Sequence, residues 1–444
     1  MNLDEIARIL GCSPALAIDV HGVTIDSRTL QPGHVFVALR GDRVDGHDFI
    51  PEVAQKGAVA VICEKRCNQA AIPQFVVRST LDALAKLAVY HRQTMTCPVI
   101  ALTGSNGKTT VKEMIYCILP KPAHKTPGNL NNHLGVPLSM LQLKSSDRYA
   151  VFELGANHEG EIAYTVDLVK PQVSLINNIA PAHIEGFGSV EGVARAKGEI
   201  YQGLGLGGIA VMNDDDHFSH FWDDLLLDKH RLRFSSQHRT DIYARQIEFN
   251  KEGCASFVLV LPVGEALIHL QVPGEHAVCN ALAAAACCVA VGIDSQTIAS
   301  GLMAFHGVSG RMTFLAGKNK ALIIDDSYNA NLRSVLAAID VLSKRQGQRI
   351  LVLGDLGELG LFTKPHHEEI GRVAREKGIN QLMTCGKQSE FSTKAFGHSA
   401  THYPSQHKLT QALLACLDKN TTVLIKGSRT AAMEKVVNEL VDRG

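Results

Sequence analysis

The sequence has no long hydrophobic run of the kind that crosses a membrane. Its most apolar segment, residues 277–293, contains Asn280 and is too short to span a bilayer comfortably, so it predicts a buried core helix. The N-terminus, residues 1–6, is acidic and lacks the basic start and apolar stretch of a signal peptide. We therefore expect a cytoplasmic protein without integral membrane association.

Net charge is absent as well. The chain balances 44 Lys and Arg against 44 Asp and Glu, which argues against a bulk electrostatic affinity for nucleic acid. Its 11 cysteines include no Cys-x-x-Cys pair, and the odd count indicates reduced thiols in the cytoplasm. With 45% hydrophobic and 20% charged residues, the 444 residues are typical of a globular chain of about two to four domains.

A glycine loop lies between a predicted strand and a predicted helix. Residues 98–102 are a short branched apolar run, and apolar residues recur at helical spacing over residues 111–119. Glycines there let backbone N–H groups surround phosphate oxygens, and the helix N-terminus adds positive charge. The alternative is an ordinary glycine turn, because only two residues separate the glycines and the general signature has four. The residues expected to contact a nucleotide are Gly104, Ser105, Asn106, Gly107, Lys108, Thr109 and Thr110.

The chain divides into three predicted blocks without internal repeats: residues 1–95, 96–312 and 313–444. The central block alternates strand-like and helical segments, which indicates a mostly parallel sheet covered by helices. The third block shows a second α/β pattern. Its strand-like runs end in polar clusters at 325–329, at 354–355 and at 426–429, and ligands bind at the carboxyl ends of strands in such sheets.

Three residues downstream of the glycine loop are candidates for a metal site. Glu153 ends a predicted strand, His183 follows another, and Lys197 lies in a predicted helix. A carboxylate at a strand tip beside a phosphate loop can hold Mg²⁺. Each residue alone is a weak signal, because single His and Lys residues are usually structural or solvated. The acidic run 214–216 predicts a solvated turn rather than a metal site.

Together these segments resemble the Mur ligase family, the ATP-dependent amide-forming enzymes of peptidoglycan precursor synthesis, over essentially the whole chain. The shortened phosphate loop of the family matches residues 103–109. The other matching segments are 127–132, 153–162, 183–187, 325–331, 354–360 and 426–429. Within the family they are most similar to the ligase that joins D-alanyl-D-alanine to UDP-N-acetylmuramoyl-tripeptide.

The resemblance implies an α/β protein of three domains and a set of site residues. Residues 1–95 would bind the UDP substrate, 96–312 would form the ATPase domain, and 313–444 would form a Rossmann-like domain for the incoming amine. The implied cofactors are ATP and Mg²⁺, and a monomer is expected. The implied substrate residues are Ser27, Arg28, Asp45, His47, Asn131, Asn132, Tyr328, Asn329, Ser428 and Arg429.

The resemblance also implies individual roles around the nucleotide. Lys108 and Thr109 would bind phosphates and Mg²⁺, Glu153 and His183 would hold the metal, and Lys197 would be the lysine that the family carbamylates. Asn280 matches the asparagine that contacts adenine in the family. Arg311 matches the arginine that reaches the γ-phosphate, and Asp326 matches the residue near the ribose.

Two positions depart from the family pattern. Ala277 follows His276 where the family often has Asn, and Leu332 stands where Pro is common.

The function expected from these residues is acyl activation. ATP would phosphorylate the tripeptide carboxylate, and the amine of D-alanyl-D-alanine would then displace the phosphate. Two other classes remain open: a phosphate-loop kinase for a small metabolite, and a nucleotide-dependent scaffold without chemistry. Within the family, the tripeptide-forming ligase commonly carries Asp-Asn-Pro-Arg, which does not occur here. Folylpolyglutamate synthetase lacks a UDP-binding first domain.

Overall fold

The computed structural model describes residues 1–13, 17–41, 44–181 and 184–442. It is an α/β protein with three sheets, and each predicted block contains one of them. In the first block, four parallel strands lie in sequence order. They are β1 (Gly22–Thr24), β2 (His34–Val37), β3 (Ala60–Cys63) and β4 (Gln74–Val76), and the helices of this block are α1 (Leu3–Leu10), α2 (Ile50–Gln55) and α3 (Thr80–Gln93).

The central block contains a nine-stranded sheet. Its strands are β5 (Val99–Thr103), β6 (His124–Lys125), β7 (Ala150–Glu153), β8 (Val173–Ile176), β9 (Ile209–Asn213), β10 (His230–Ser235), β11 (Ile242–Phe249), β12 (Cys254–Leu261) and β13 (Gly264–Pro273), in the order β13-β12-β11-β10-β9-β8-β5-β7-β6. Its helices are α4 (Lys108–Ile118), α5 (Gly135–Met140), α6 (Glu161–Val169), α7 (Ile184–Phe187), α8 (Val190–Gln202), α9 (Glu275–Ala290) and α10 (Ser295–Met303).

The predicted core helix at 277–293 is α9, whose small and apolar side chains are almost all buried. The antiparallel pairs β11–β12 and β12–β13 had no counterpart in the sequence-based prediction. They alternate buried and less buried positions, which is the pattern of an antiparallel sheet with one solvated face.

The third block has a six-stranded sheet that is parallel except at one edge strand. The strands are β14 (Thr313–Ala316), β15 (Leu322–Asp326), β16 (Gln348–Gly354), β17 (Gln381–Cys385), β18 (Ala400–Tyr403) and β19 (Thr421–Lys426), in the order β14-β15-β19-β16-β17-β18. The helices are α11 (Leu332–Ser343), α12 (Thr363–Glu376), α13 (Glu390–Phe396), α14 (Gln406–Cys416) and α15 (Glu434–Leu440). Apolar clusters cover both faces of this sheet, as expected for parallel strands.

By compactness the chain separates into two units. One consists of Met1–Ala101, Pro120–Gly155 and Glu161–Gln172, and the other of Leu102–Leu119, Ala156–Gly160 and Val173–Gly444. The second unit therefore contains the glycine loop and the third block together, whereas Glu153 belongs to the first. Within the described ranges, no helix combines the length and apolar character needed to cross a bilayer.

Candidate nucleotide site and its supports

The glycine loop adopts a backbone that only glycine accommodates easily. It connects the buried strand β5 to α4, as predicted. Gly107 has φ 79° and immediately precedes α4, and Gly104 has φ 156°. A Cβ atom on Gly107 would lie 2.6 Å from the side-chain nitrogen of Asn177 and 2.6 Å from Oδ1 of Asn280. The loop is therefore closely packed against Asn177 and Asn280, and Gly107 is required by close approach as well as by backbone conformation.

Asparagine side chains after β8 hold the loop in place. The carbonyl oxygen of Asn106 accepts hydrogen bonds from Nδ2 of Asn177 (3.0 Å) and from Nδ2 of Asn178 (3.1 Å). The backbone N–H of Asn106 donates to Oδ1 of Asn178 at 2.9 Å. Ser105 is fixed in the same way, since its hydroxyl oxygen accepts from the Ala180 N–H at 2.9 Å. The sequence-based prediction missed this support, although two asparagines directly after a buried strand were a readable signal.

The acidic run 214–216 is part of this support, so its interpretation as a solvated turn was wrong. Asp216 is 9% exposed, and its Oδ2 accepts from the N–H of Ile179 at 2.8 Å. Asp215 accepts from Ser236, and Asp214 pairs with Arg233. These carboxylates satisfy buried backbone and side-chain donors, and Asp216 fixes the segment that contacts Ser105.

Two buried polar atoms of the loop have no hydrogen-bond partner within the part of the chain that is described: Oγ1 of Thr103 and Nδ2 of Asn106. Buried polar groups are nearly always hydrogen-bonded, so each unpaired one needs an explanation, and the position of this loop before a helix N-terminus favours a bound anion. Nζ of Lys108 turns back to the carbonyl oxygen of Gly104 at 2.7 Å. A cation, buried donors and a helix N-terminus in one loop fit the phosphates of a nucleotide.

Lys197 is buried in α8 with 2% of its surface exposed. Its Nζ lies 6.0 Å from the centre of the Phe187 ring. The pKa of Lys197 lies far below the ordinary lysine value. Burial is the main cause, and the positive charge of Lys108 is the second. Lys197 therefore favours the neutral amine. His183, the predicted metal ligand nearby in sequence, lies outside the described residues.

Arg311 reaches the phosphate loop from the end of the central block. Its Nη2 donates to Oγ1 of Thr109 at 2.9 Å, and its guanidinium lies 4.4 Å from the centre of the Tyr328 ring. The guanidinium of Arg429 lies 5.8 Å from the same ring. Tyr328 thus brings two predicted site arginines together, 118 residues apart in the sequence (429 minus 311).

The polar strand ends of the third block converge at one edge of its sheet, as predicted. Asp326 of β15 lies opposite Lys426 of β19, and Nζ of Lys426 donates to Oδ2 of Asp326 at 2.5 Å and to the carbonyl oxygen of Asn329 at 3.0 Å. The N–H of Ser428 donates to the carbonyl oxygen of Asp355 at 2.9 Å. Lys426 was not among the predicted site residues, yet it is the cation that links Asp326 and Asn329.

The first turn of α11 also touches the phosphate loop and its support. Nδ2 of Asn331 donates to Oδ1 of Asn106 at 2.7 Å, and Nη1 of Arg333 donates to the carbonyl oxygen of Ile179 at 3.1 Å. Neither residue was among the predicted site residues. Asn280 lies on this side as well, because its Oδ1 accepts from Asn177 at 3.0 Å and faces Gly107. The structure thus places Asn280 against the phosphate loop.

In the first unit, Glu153 and Asn131 form a hydrogen-bonded pair at the end of β7. Nδ2 of Asn131 donates to Oε1 of Glu153 at 2.8 Å, and Glu153 is 2% exposed. The neighbouring residue Asn132 contacts α5. Its Oδ1 accepts from the N–H groups of Leu134 and Gly135, at the start of that helix. Among the described residues, no three His, Cys, Asp or Glu side chains gather into a metal-binding group. A buried carboxylate such as that of Glu153 is nevertheless of the type that Mg²⁺ takes in proteins.

The predicted uridine-side residues lie in two turns of the first block. Ser27 is buried, and its carbonyl oxygen accepts from Lys56, whereas the exposed Arg28 pairs with Asp26 at 2.7 Å. Nε2 of His47 accepts from the Glu64 N–H at 2.9 Å, so its Nδ1 carries the proton and donates to Asp45 at 2.6 Å. Hydrogen bonding from the His47 N–H is the first cause of a lowered Asp45 pKa.

Comparison with known proteins covers nearly the whole chain. Residues 19–99 match the model of the Mur ligase family, catalytic domain, residues 102–288 the Mur ligase middle domain, and residues 310–429 the Mur ligase, glutamate ligase domain. The chain is 42% identical to UDP-N-acetylmuramoyl-tripeptide--D-alanyl-D-alanine ligase of Escherichia coli, over 100% of this chain and 99% of that protein.

Solved structures give the same result. The crystal structure of MurF from Acinetobacter baumannii superimposes with a TM-score of 0.91 at 35% identity, covering 99% of this chain and 98% of that one. MurF ligase from Thermotoga maritima, solved in complex with ADP, has a TM-score of 0.82 at 27% identity, covering 96% and 98%. With these matches and a phosphate loop whose buried donors suit a nucleotide, the chain belongs to the Mur ligase family.

Proposed function

We propose that this protein is the ATP-dependent ligase that adds D-alanyl-D-alanine to UDP-N-acetylmuramoyl-tripeptide in peptidoglycan precursor synthesis, and thereby serves cell-wall growth, shape and division. The observation that carries the proposal is the 42% identity to the Escherichia coli ligase over the full chain. The unpaired donors of the phosphate loop and the approach of Arg311 to Thr109 support ATP as the energy source.

The chemistry follows from where charge accumulates. The tripeptide carboxylate attacks the γ-phosphorus of ATP, giving an acyl phosphate and ADP, and the amine of D-alanyl-D-alanine then displaces inorganic phosphate to form the amide. Lys108 and Arg311 supply positive charge to the transferring phosphoryl group, and Asn280 buttresses the loop that holds it. Asp326, fixed by Lys426, is proposed to bind the ribose.

Mg²⁺ is proposed to be held by Thr109 and Glu153, with His183 and modified Lys197 completing the site, and it would neutralise phosphate charge. Lys197 is suited to carbamylation because carbon dioxide adds to a neutral amine, and burial favours that form. The product is an anionic oxygen donor, the type that Mg²⁺ prefers.

We also propose that the three domains bind different substrates. Residues 1–95 are proposed to bind the UDP end through Ser27, Arg28, Asp45 and His47, and residues 313–444 to bind D-alanyl-D-alanine near Tyr328, Asn329, Ser428 and Arg429. Asn131 and Asn132 are proposed to lie on the tripeptide side. We also propose that the protein is cytoplasmic and monomeric, as the sequence analysis leads us to expect.

Phosphate release tests the function directly. Purified protein is supplied with ATP, Mg²⁺, UDP-N-acetylmuramoyl-tripeptide and D-alanyl-D-alanine, and each is omitted in turn. A ligase releases stoichiometric phosphate only when the carboxylate and the amine are both present. A kinase would instead leave phosphate on one acceptor, and a scaffold would release none, so either result refutes the proposal.

A further inference from the structure

The contact between α11 and the phosphate loop has a fixed orientation. Asn331 is the N-cap of α11, and its Oδ1 accepts from the Ser334 N–H at 3.0 Å. The hydroxyl of Ser334 accepts in return from the Asn331 N–H at 3.0 Å, which completes a capping box. Because the cap uses the oxygen of the Asn331 carboxamide, its Nδ2 must point the other way.

That nitrogen sets the orientation of a second carboxamide. Nδ2 of Asn331 donates to the side chain of Asn106 at 2.7 Å, so the atom of Asn106 that faces it must be the acceptor, Oδ1. The Nδ2 group of Asn106 is thereby turned to the opposite side. There it is buried without a partner in the part of the chain that is described.

The backbone of Asn106 is fixed by three hydrogen bonds. Its carbonyl oxygen accepts from Asn177 and Asn178, and its N–H donates to Asn178. Only the side-chain amide of Asn106 can rotate, and the hydrogen bond from Asn331 sets its orientation. A second contact of the same turn, from Arg333 to the Ile179 carbonyl oxygen, keeps α11 in position beside this support.

We propose that Asn331 is a positioning residue that orients the carboxamide of Asn106 so that its Nδ2 donates to a phosphate oxygen of bound ATP. The inference rests on the proposed function, since it takes ATP as the ligand of the phosphate loop. It makes one nucleotide contact depend on the docking of α11. The helix also starts without the family's proline. Leu332 occupies the first helical position, and the capping box of Asn331 and Ser334 defines that start.

The test separates the cap from the contact. Asn331→Ser keeps a good N-cap but is too short to reach Asn106, and Asn331→Asp keeps the cap but offers only acceptors. We expect both variants to keep the wild-type Tm and to bind ATP about tenfold more weakly by calorimetric titration, the effect of one lost charge-assisted hydrogen bond. The KM for UDP-N-acetylmuramoyl-tripeptide should not change. Asn2→Asp makes a matched change at the capping box of α1 and should leave ATP binding unaltered.

A double-mutant cycle with Asn106→Ala decides the mechanism. If Asn331 acts through Asn106, Asn331→Ser costs ATP affinity in the wild-type background and nothing in Asn106→Ala. Equal losses in both backgrounds, or no loss in either, overturn the inference. Wild-type protein that neither binds ATP nor releases phosphate would instead refute the proposed function, so the two failures are distinguishable.

Discussion

Replacing Gly107 by alanine should damage the phosphate loop far more than the same change at another glycine of equal backbone conformation. Gly107 has φ 79° and Gly292, just after α9, has φ 81°. Both alanine variants are destabilised by about 1–2 kcal/mol, because alanine is strained in a left-handed backbone conformation. At Gly292 nothing lies within 4 Å of the added Cβ, whereas at Gly107 it meets Asn177 and Asn280 at 2.6 Å each.

The second cost is therefore specific to Gly107. Separating the Asn177–Asn280 hydrogen bond and displacing both side chains adds about 1–3 kcal/mol, typical of overpacking. At roughly 2 °C per kcal/mol for a unit of this size, calorimetry should show Tm falling by about 2–4 °C in Gly292→Ala and by about 4–10 °C in Gly107→Ala.

Nucleotide adds a second readout for the same pair. Saturating ATP should raise the Tm of the wild type and of Gly292→Ala, because a ligand that binds only the folded state stabilises it. It should not raise the Tm of Gly107→Ala, whose loop can no longer close on phosphate. Equal Tm values for the two variants, together with normal ATP binding by Gly107→Ala, would refute the reasoning.

Four further predictions concern single side chains. Lys108→Ala should abolish phosphate release while the circular dichroism spectrum is retained, and near-normal turnover would remove the loop as the ATP site. Arg311→Lys should lower kcat by at least about tenfold with little change in ATP affinity, because an ammonium cannot engage two phosphoryl oxygens, and parent-like kinetics would contradict this. Lys197→Ala should lose activity and regain part of it with added acetate or formate, which supply the missing oxygens; absence of rescue counts against the carbamate. Burial lowers the pKa of His367 to about 4. The stability that depends on a neutral ring is therefore fully present above pH 6.5, and the free energy of unfolding falls by about 3 kcal/mol as pH falls from 6.5 to 4. Urea titrations should show a weaker pH dependence of this free energy in His367→Leu than in the wild type.

Local patterns in the sequence predicted the elements that carry the site. The strand at 98–102 and the helix after it appear as β5 and α4, and the strand-like runs that end in the polar clusters at 325–329 and 426–429 appear as β15 and β19. They were readable because branched apolar runs and helical periodicity are properties of short segments. The phosphate loop and the polar strand ends were readable for the same reason, since each is contiguous in the chain.

The remaining features depend on residues that meet only after folding. Asn331 reaches Asn106 across 225 positions, and Lys426 reaches Asp326 across 100. The antiparallel strands β11 to β13 depend on pairing between neighbours, and the carboxylates of 214–216 looked solvated until their buried donors were known. The sequence alone determined which segments become strands, helices and phosphate loop, because those choices are local. Only the tertiary structure decided which asparagines brace that loop and which way each amide points, because a hydrogen bond is specified by both partners.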